Sequence, residues 1–456
     1  MTLSAANRPP SKEASEQEGL TRTRTGYAKT KILVGLDKLR PMKTYVFTNR
    51  VYPPVGGATG ELLKELAEGL VAGGDRVVVV TSREHGAGSV EQGEVGDRSS
   101  EVGYQKREAK GQKSTAAHRA PLQNREAING VEVVRVGTVP FTRESHWRRA
   151  LSYLGLYPQL MWQVWKLGQV DAVVSMTDPP LQVAAVTLAS CRAKKKIHWA
   201  QDVYPELAEE LGVIPRGGLL ARVLRFVSTW ALRRQDEVVA VGRCMRERLI
   251  RRGVDAGKIE VIPNWSSVAP VTAEKVQAMR ERLGWEGKFI MLYSGNIGLA
   301  HDFETLTGAA KLLEGGGVQM VFAGEGPRLE QVRRDTAGLE HVSFLPSQPK
   351  EDLSAFLAAA DAHLVSVRAG LEGLVVPSKA YGIFAAGRPI FYVGGADAEV
   401  AKVIAKSGCG AVIPNGDASA LAEAIKQAVL PRGQSRVAPT GGFAKALANW
   451  REVLQG

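Results

Sequence analysis

FIMLYSGNIGLAHDFETLTGAAKLLEGGGVQMVFAG, residues 289–324, carries the pattern that decides the fold. Two short apolar runs, FIMLYS and VQMVFA, each end in glycine. Between them lies an amphipathic, helix-like segment. Runs of that length read as strands, and a helix carrying the chain from one to the next makes them parallel. The unit repeats. HVSFLP, AHLVSV, PIFYVG and GAVIP continue the series downstream, separated by amphipathic segments. Upstream, TYVFTN, RVVVVTS, VEVVRV, DAVVSMT, KKIHWAQ and EVVAVG form a first series, with a helix from about Thr59. Two such series predict an α/β protein with two Rossmann-like, doubly wound domains facing across a cleft.

The expected boundaries follow. Residues 1–41 are polar and read as a disordered tail, and Met42 opens the first strand as a candidate translation start. Residues 42–268 form the first domain, 269–437 the second, and 438–456 a helix that packs back on the first. The joint lies near NWSSVAPVTAE, 264–274. The polar stretch 83–128 reads as a long surface loop without a role.

Composition narrows the class. Of 456 residues, 44% are hydrophobic and 23% charged, as in a soluble globular protein. No apolar run reaches the roughly 18–20 residues that cross a bilayer, and the N-terminal residues lack the apolar core of a secretory signal. Three widely spaced cysteines suggest neither disulfides nor a cysteine zinc site, which fits a reducing cytoplasm. The net charge of +12 gathers in RAKKK, 192–196, and in an arginine-rich run from Arg216 to Arg252. No zinc finger or RNA-recognition motif accompanies it, so nucleic acid is not the expected partner. An anionic membrane surface or a phosphorylated substrate explains the same charge, as does a solvated helix face.

In open α/β sheets ligands bind beyond the carboxyl ends of the strands. Glycine loops stand at four such ends: Gly56-Gly57, Gly295 to Gly298, Gly324 to Gly326, and GLVVPSKAYGIFAAGRP, 373–389. In the last, Pro377 suits the first turn of a helix, where its missing N–H costs nothing. The N–H groups of Ser378 and Lys379 and the lysine charge then suit a phosphate. Gly382, Ala385 and Ala386 make one face small, and Gly387 fits the left-handed cap that ends the helix. The plainer reading is a capped helix with a surface lysine.

In their order, PPVGGATGELLKELAEGLVAGGDRVVVVTS, VVAVGRCMRERLIRRGV, KIEVIPNW, LYSGNIG, FAGEGPRLEQV and VVPSKAYGIFAAGRPI resemble the retaining glycosyltransferases of family 4, of GT-B fold, over nearly all of 42–456. HWAQDVYPE and PSKAYGIFAAGRP are most similar to bacterial enzymes that build exopolysaccharide, O-antigen or capsule. The resemblance implies a nucleoside diphosphate sugar as donor, a lipid-linked or saccharide acceptor, and no cofactor. It implies that Gly324, Glu325 and Gly326 lie near base and ribose, and that Leu345 meets the base through its backbone. Ser378 and Lys379 would hold the diphosphate, with Gly56 and Gly57 approaching it from the first domain. Asp178, Asp202, Tyr204 and Glu206 would line the acceptor side, with Asp202, Gly57 and Lys379 nearest the chemistry.

Three departures stand out. Asn296 and His301 occupy positions where many members direct an arginine and a lysine at the diphosphate. Gly382 stands where many carry a ribose-binding glutamate, leaving Glu372 or Glu325 to hold the ribose, or the ribose less tightly held. The 83–128 stretch is the third. The expected reaction proceeds with retention, fixed N–H dipoles and Lys379 relieving charge on the departing diphosphate. The absence of an Asp-x-Asp motif argues against a bridging metal. Two rivals share the scaffold: a nucleotide-sugar 2-epimerase, and a non-catalytic transferase-like partner. GNIGLAH and GEGPRL miss the dinucleotide fingerprint, which disfavours an oxidoreductase.

A membrane expectation completes the reading. RRALSYLGLYPQLMWQVWKLG, 148–168, sets Leu151, Leu154, Tyr157, Leu160, Met161 and Trp165 beside basic residues. Such a segment suits the headgroup region of an anionic membrane, although an aromatic helix between strands is also ordinary core. The expected location is the cytoplasmic face of the cell membrane, held peripherally.

Overall fold

The computed structural model describes residues 41–55, 57–83, 124–137, 146–429 and 442–456. The expected tail, most of the 83–128 stretch and Gly56 lie outside the described residues.

The β-branched runs make two sheets. The first holds β1 (Thr44–Thr48), β2 (Arg76–Ser82), β3 (Arg125–Ile128), β4 (Val131–Val136), β5 (Val170–Ser175), β6 (Ala193–Ala200), β7 (Glu237–Ala240) and β8 (Ile259–Val261). Their order is β3-β4-β2-β1-β5-β6-β7-β8. The second holds β9 (Phe289–Ser294), β10 (Val318–Ala323), β11 (Val342–Leu345), β12 (Ala362–Ser366), β13 (Ile390–Val393) and β14 (Gly410–Ile413), in the order β11-β10-β9-β12-β13-β14. In each, the chain leaves the first strand toward one edge and returns to build the other. β1 pairs in parallel with β2 and β5, and β9 with β10 and β12, which sets a topological switch point in each domain.

The apolar faces pack as the periodicity requires. The helix Ala58–Ala72 buries Leu62, Leu63, Leu66 and Leu70 against the first sheet. In the second domain Asp302 caps the helix Phe303–Leu312 by accepting from the Thr305 N–H at 3.0 Å. The C-terminal helix Phe443–Gln455 lies on the first domain, where buried Trp450 meets Trp199 edge-on with ring centroids 4.7 Å apart. Lys195 Nζ donates to the Val453 carbonyl at 2.6 Å.

One boundary needs correction. The 83–128 stretch ends in structure, because β3 pairs antiparallel with β4 through a turn at Asn129 and Gly130. Both turn residues have positive φ, 49° and 82°, which is the geometry an Asn-Gly hairpin supplies. The Asn-Gly dipeptide carries that signal in the sequence, while β3 is only four residues long.

The helix His146–Lys166 also departs from expectation. Leu156, Leu160 and Val164 are core, Met161 packs against them, and the Tyr157 hydroxyl donates to the Pro180 carbonyl. Leu160, Met161 and Tyr157 are therefore not a free membrane face. Leu154, Trp162 and Trp165 remain exposed, with Arg192 over the Trp165 ring.

Candidate active site

The two domains meet along a backbone seam. Val203 N–H donates to the Leu374 carbonyl at 2.9 Å, and Asp202 forms a β-bridge with Val375. Arg248 reaches from the first domain to the Glu372 and Gly370 carbonyls at 2.9 and 3.1 Å. Above this seam, between the carboxyl ends of both sheets, opens a cavity of about 780 Å³. Its walls come from the start of the Ala58–Ala72 helix, the 265–268 joint, the 294–301 loop after β9, and the 375–383 segment.

Lys379 is its central feature. The side chain extends from the first residue of the seven-residue helix Lys379–Ala385, with Ser378 as N-cap. Its ammonium sits 3.8 Å from the centroid of the Tyr293 ring. It is buried and has no hydrogen-bond partner. Gly295 lies against it, and its φ of 122° is a conformation that favours glycine. Burial without a counter-charge pulls the Lys379 pKa down to about 7. A cation held off its hydration shell with only a ring face for company is a site for an anion.

His301 lines the same cavity. Its Nδ1 donates to the Ser366 carbonyl, and burial together with the Lys379 charge lowers its pKa to about 3. The ring is therefore neutral and its remaining nitrogen accepts. A neutral His301 brings no positive charge to a phosphate, in keeping with the departure noted at this position; it suits a hydroxyl or the lysine ammonium. Across the cavity Asp202 is raised to about 7 by burial and then by the charge of Asp178. Asp178 itself accepts from Arg50 Nε at 2.8 Å.

Of the expected site residues, Asp202, Asn296, His301, Ser378 and Lys379 share this cavity, together with Gly382. Gly57, at φ 158°, precedes the Ala58 that lines it. Tyr204 and Glu206 follow Asp202, with Glu206 paired to Arg225 and Arg252 rather than open to the cavity. Gly324, Glu325, Gly326 and Leu345 are off its wall. The loop after β10 lies flat against the loop after β9: a Cβ on Gly324 would stand 2.1 Å from the Gly295 carbonyl oxygen, and one on Gly326 2.3 Å from that of Ile297. Those glycines permit backbone packing, and the Leu345 carbonyl already accepts from Gly324 N–H at 3.0 Å. Glu372 also faces away, its carboxylate beside Gly395. Neither glutamate offered for the ribose reaches the cavity.

The wall opposite Gly382 is built by residues the sequence did not single out. Ser266 Oγ lies 3.6 Å from where a Gly382 Cβ would be. Next to it the Trp265 indole donates to Glu65 at 2.7 Å, fixing one carboxylate oxygen on the cavity wall. Only their place at the domain joint marked the serines beforehand.

Comparison with known proteins agrees with this architecture. A model described as a glycosyl transferase 4-like domain matches residues 57–265, and one for glycosyl transferases group 1 matches 275–438. The probable glycosyltransferase WbjE of Pseudomonas aeruginosa is 30% identical over 268 residues, 56% of this chain and 66% of its own length. WcaI of Escherichia coli K12, provisionally assigned as a colanic acid biosynthesis glycosyl transferase, is 28% identical over 76% of this chain and 82% of its own. The crystal structure of HepE from Anabaena with UDP-glucose superposes with a TM-score of 0.59 at 15% identity, covering 91% of this chain and 94% of that one. That likeness shows the fold.

Proposed function

Because the chain belongs to glycosyltransferase family 4, with its GT-B fold and with relatives in polysaccharide biosynthesis, we propose that it moves a sugar from a nucleoside diphosphate to a lipid-linked or saccharide acceptor, with retention, in bacterial cell-surface polysaccharide synthesis. The sugar is of hexosyl or N-acetylhexosaminyl type. The observation that carries this reading is the buried, unpartnered Lys379 ammonium in the interdomain cavity. A neighbour of the same fold, HepE, was crystallised with UDP-glucose, which supports a nucleotide sugar as ligand.

In this reading the bond from the anomeric carbon to the diphosphate oxygen breaks, and the leaving group gains negative charge. Lys379 and Ser378 meet that charge, so a metal is not required for it. The acceptor hydroxyl attacks on the leaving-group face, which needs no protein nucleophile. Asp202, poised near neutrality, takes up the hydroxyl proton. His301 accepts from a sugar hydroxyl. No helix among the described residues is long and apolar enough to span a membrane. We place the protein in the cytoplasm, peripherally on the inner face of an anionic membrane where a lipid-linked acceptor would be found.

A panel of nucleotide sugars read by thermal shift tests the donor, since a ligand that binds only the folded state raises the melting point. A shift by one member, lost in Lys379→Ala, is expected. No shift with any of them would favour a non-catalytic partner, and a changed nucleotide sugar formed without acceptor would favour an epimerase.

A further inference from the structure

The helix Leu219–Arg233 is built inside out. Toward the core it presents Ala221, Ser228, Ala231 and Leu232, mostly small. Toward solvent it presents Leu219, 79% exposed, and Phe226, 74% exposed, with Leu220 and Val223 also exposed. Positions 219, 223 and 226 fall at i, i+4 and i+7, a single stripe along the helix, and Trp230 beyond them is partly buried against the core. A surface helix normally turns its largest apolar side chains inward. A stripe of them facing outward marks a contact with something apolar.

The charge around the stripe selects the occupant. Of the ten arginines in residues 216–252, Arg216, Arg225, Arg243 and Arg252 are paired with Glu210, with Glu206 and Glu209, with Glu399 and with Glu206, and the charge beside the stripe comes from Arg222, Arg233 and Arg234. Arg222 and Arg233 flank the stripe and are exposed, and Arg234 covers the Trp230 ring at 4.6 Å. A second copy docking here would bring two arginine-rich faces together, which like charges oppose. A bilayer carrying anionic headgroups meets both features at once. The apolar stripe enters the acyl boundary, and the guanidinium groups meet the lipid phosphates.

The position is also informative. Ser228 Oγ and Arg252 both donate to the Tyr204 carbonyl, at 3.3 and 2.8 Å. The helix therefore supports the segment that carries Asp202 to the cavity wall. We propose that the outward face of Leu219–Arg233, with its arginines, is where this protein seats on an anionic lipid bilayer. This rests on the membrane partner proposed above and moves the contact away from the 148–168 helix.

The test uses the full chain and vesicles of phosphatidylcholine with or without about one-third phosphatidylglycerol, floated at low and high salt. Binding to the anionic vesicles at low salt, weakened by salt, is expected. The double variant Leu219→Glu/Phe226→Glu should lose at least tenfold in vesicle binding with an unchanged melting temperature and an unchanged nucleotide-sugar shift. Arg222→Glu/Arg233→Glu should lose the salt-sensitive part, and serves if the first variant folds poorly. Undiminished binding by both variants would overturn the assignment of this face while leaving the membrane partner standing. Wild-type protein that floats with neither vesicle would overturn both, with the donor reading judged separately by its thermal shift. A dimer in light scattering that the first variant converts to monomer, without vesicle binding, would make the face a self-association surface and also overturn the proposal.

Discussion

Arg252 and Lys379 are both buried cations at the edge of the domain seam, yet their surroundings are opposites. The Arg252 side chain, 6% exposed, donates to the Tyr204 carbonyl, Thr229 Oγ1 and Glu206, at 2.8, 2.9 and 3.1 Å. Lys379 has only the face of Tyr293. A fork of five donors filled by fixed acceptors holds the 204–206 segment in place. A buried ammonium with none is a cost to the folded state that a ligand can offset. The difference separates a cation satisfied by the fold from one left without an acceptor, which is the ground for the role proposed for Lys379.

Removing each should therefore fail in a different way. Lys379→Ala is expected to lower sugar transfer roughly 10²-fold or more, by analogy with loss of one oxyanion donor, while the melting temperature stays level. Arg252→Ala leaves Glu206 and the Tyr204 carbonyl short of a donor. It should destabilise by about 3 kcal/mol, the low end for breaking a buried pair, because Arg225 still reaches Glu206. Calorimetry and initial rates on both variants decide it; a Lys379→Ala protein with normal turnover would break the contrast.

The pH profile comes next in size. In the proposed reaction Asp202 takes a proton and so must be ionised; its pKa is about 7, so the rate should fall as pH drops below that value. In the same proposal Lys379 meets phosphate and so must be protonated; its pKa is also about 7, so the rate should fall as pH rises above it. His301, lowered to about 3, adds nothing in between. A narrow bell in kcat/KM centred near pH 7 is expected, each limb steepening toward about tenfold per unit. In Asp202→Asn the acid limb should flatten while the basic limb stays. Bound diphosphate favours the lysine charge, so the basic limb of kcat should lie at higher pH than that of kcat/KM.

Much of this contrast was half legible. Alternation of β-branched runs and helices dictates the two sheets, because a buried parallel strand needs apolar residues on both faces. PSKAYGIFAAG marks Lys379 through its neighbours. What the letters do not carry is which cation ends up with acceptors: the carbonyls that satisfy Arg252 come from Tyr204 and Arg225, distant in sequence. GEGPRL is ambiguous for a related reason, since a glycine needed for loop-on-loop packing looks the same as one needed by a ligand. The period of LLARVLRFVSTW gives an apolar stripe but not which way it faces.

A gain of stability sharpens the same contrast. Lys379→Met keeps much of the packing volume and removes the unpartnered charge. At pH 7 it should stabilise the protein by about 1 kcal/mol, or about 2–4 °C in melting temperature, while abolishing the nucleotide-sugar shift. The matching Arg252→Met should destabilise. Differential scanning calorimetry compares them, and a Lys379→Met protein that melts lower than wild type would mean that the ammonium has a stabilising contact.

A third cation completes the scale and predicts the smallest effect. Lys350 reaches across the cavity mouth from the second domain to pair with Glu61 of the first. It has a partner, as Arg252 does, but its side chain is 65% exposed. An exposed pair gains little in high dielectric and loses side-chain entropy, so it contributes about 0–1 kcal/mol. Because the pair bridges the two domains, that small amount should appear in closure over the donor rather than in melting. Lys350→Ala is expected to weaken nucleotide-sugar affinity by no more than a few fold at low salt. Within a Debye length of roughly 3 Å at molar salt the difference should vanish. Titration calorimetry at both ionic strengths measures it. A loss as large as that of Lys379→Ala, or one that persists at high salt, would show that Lys350 contacts the ligand itself and belongs with Lys379.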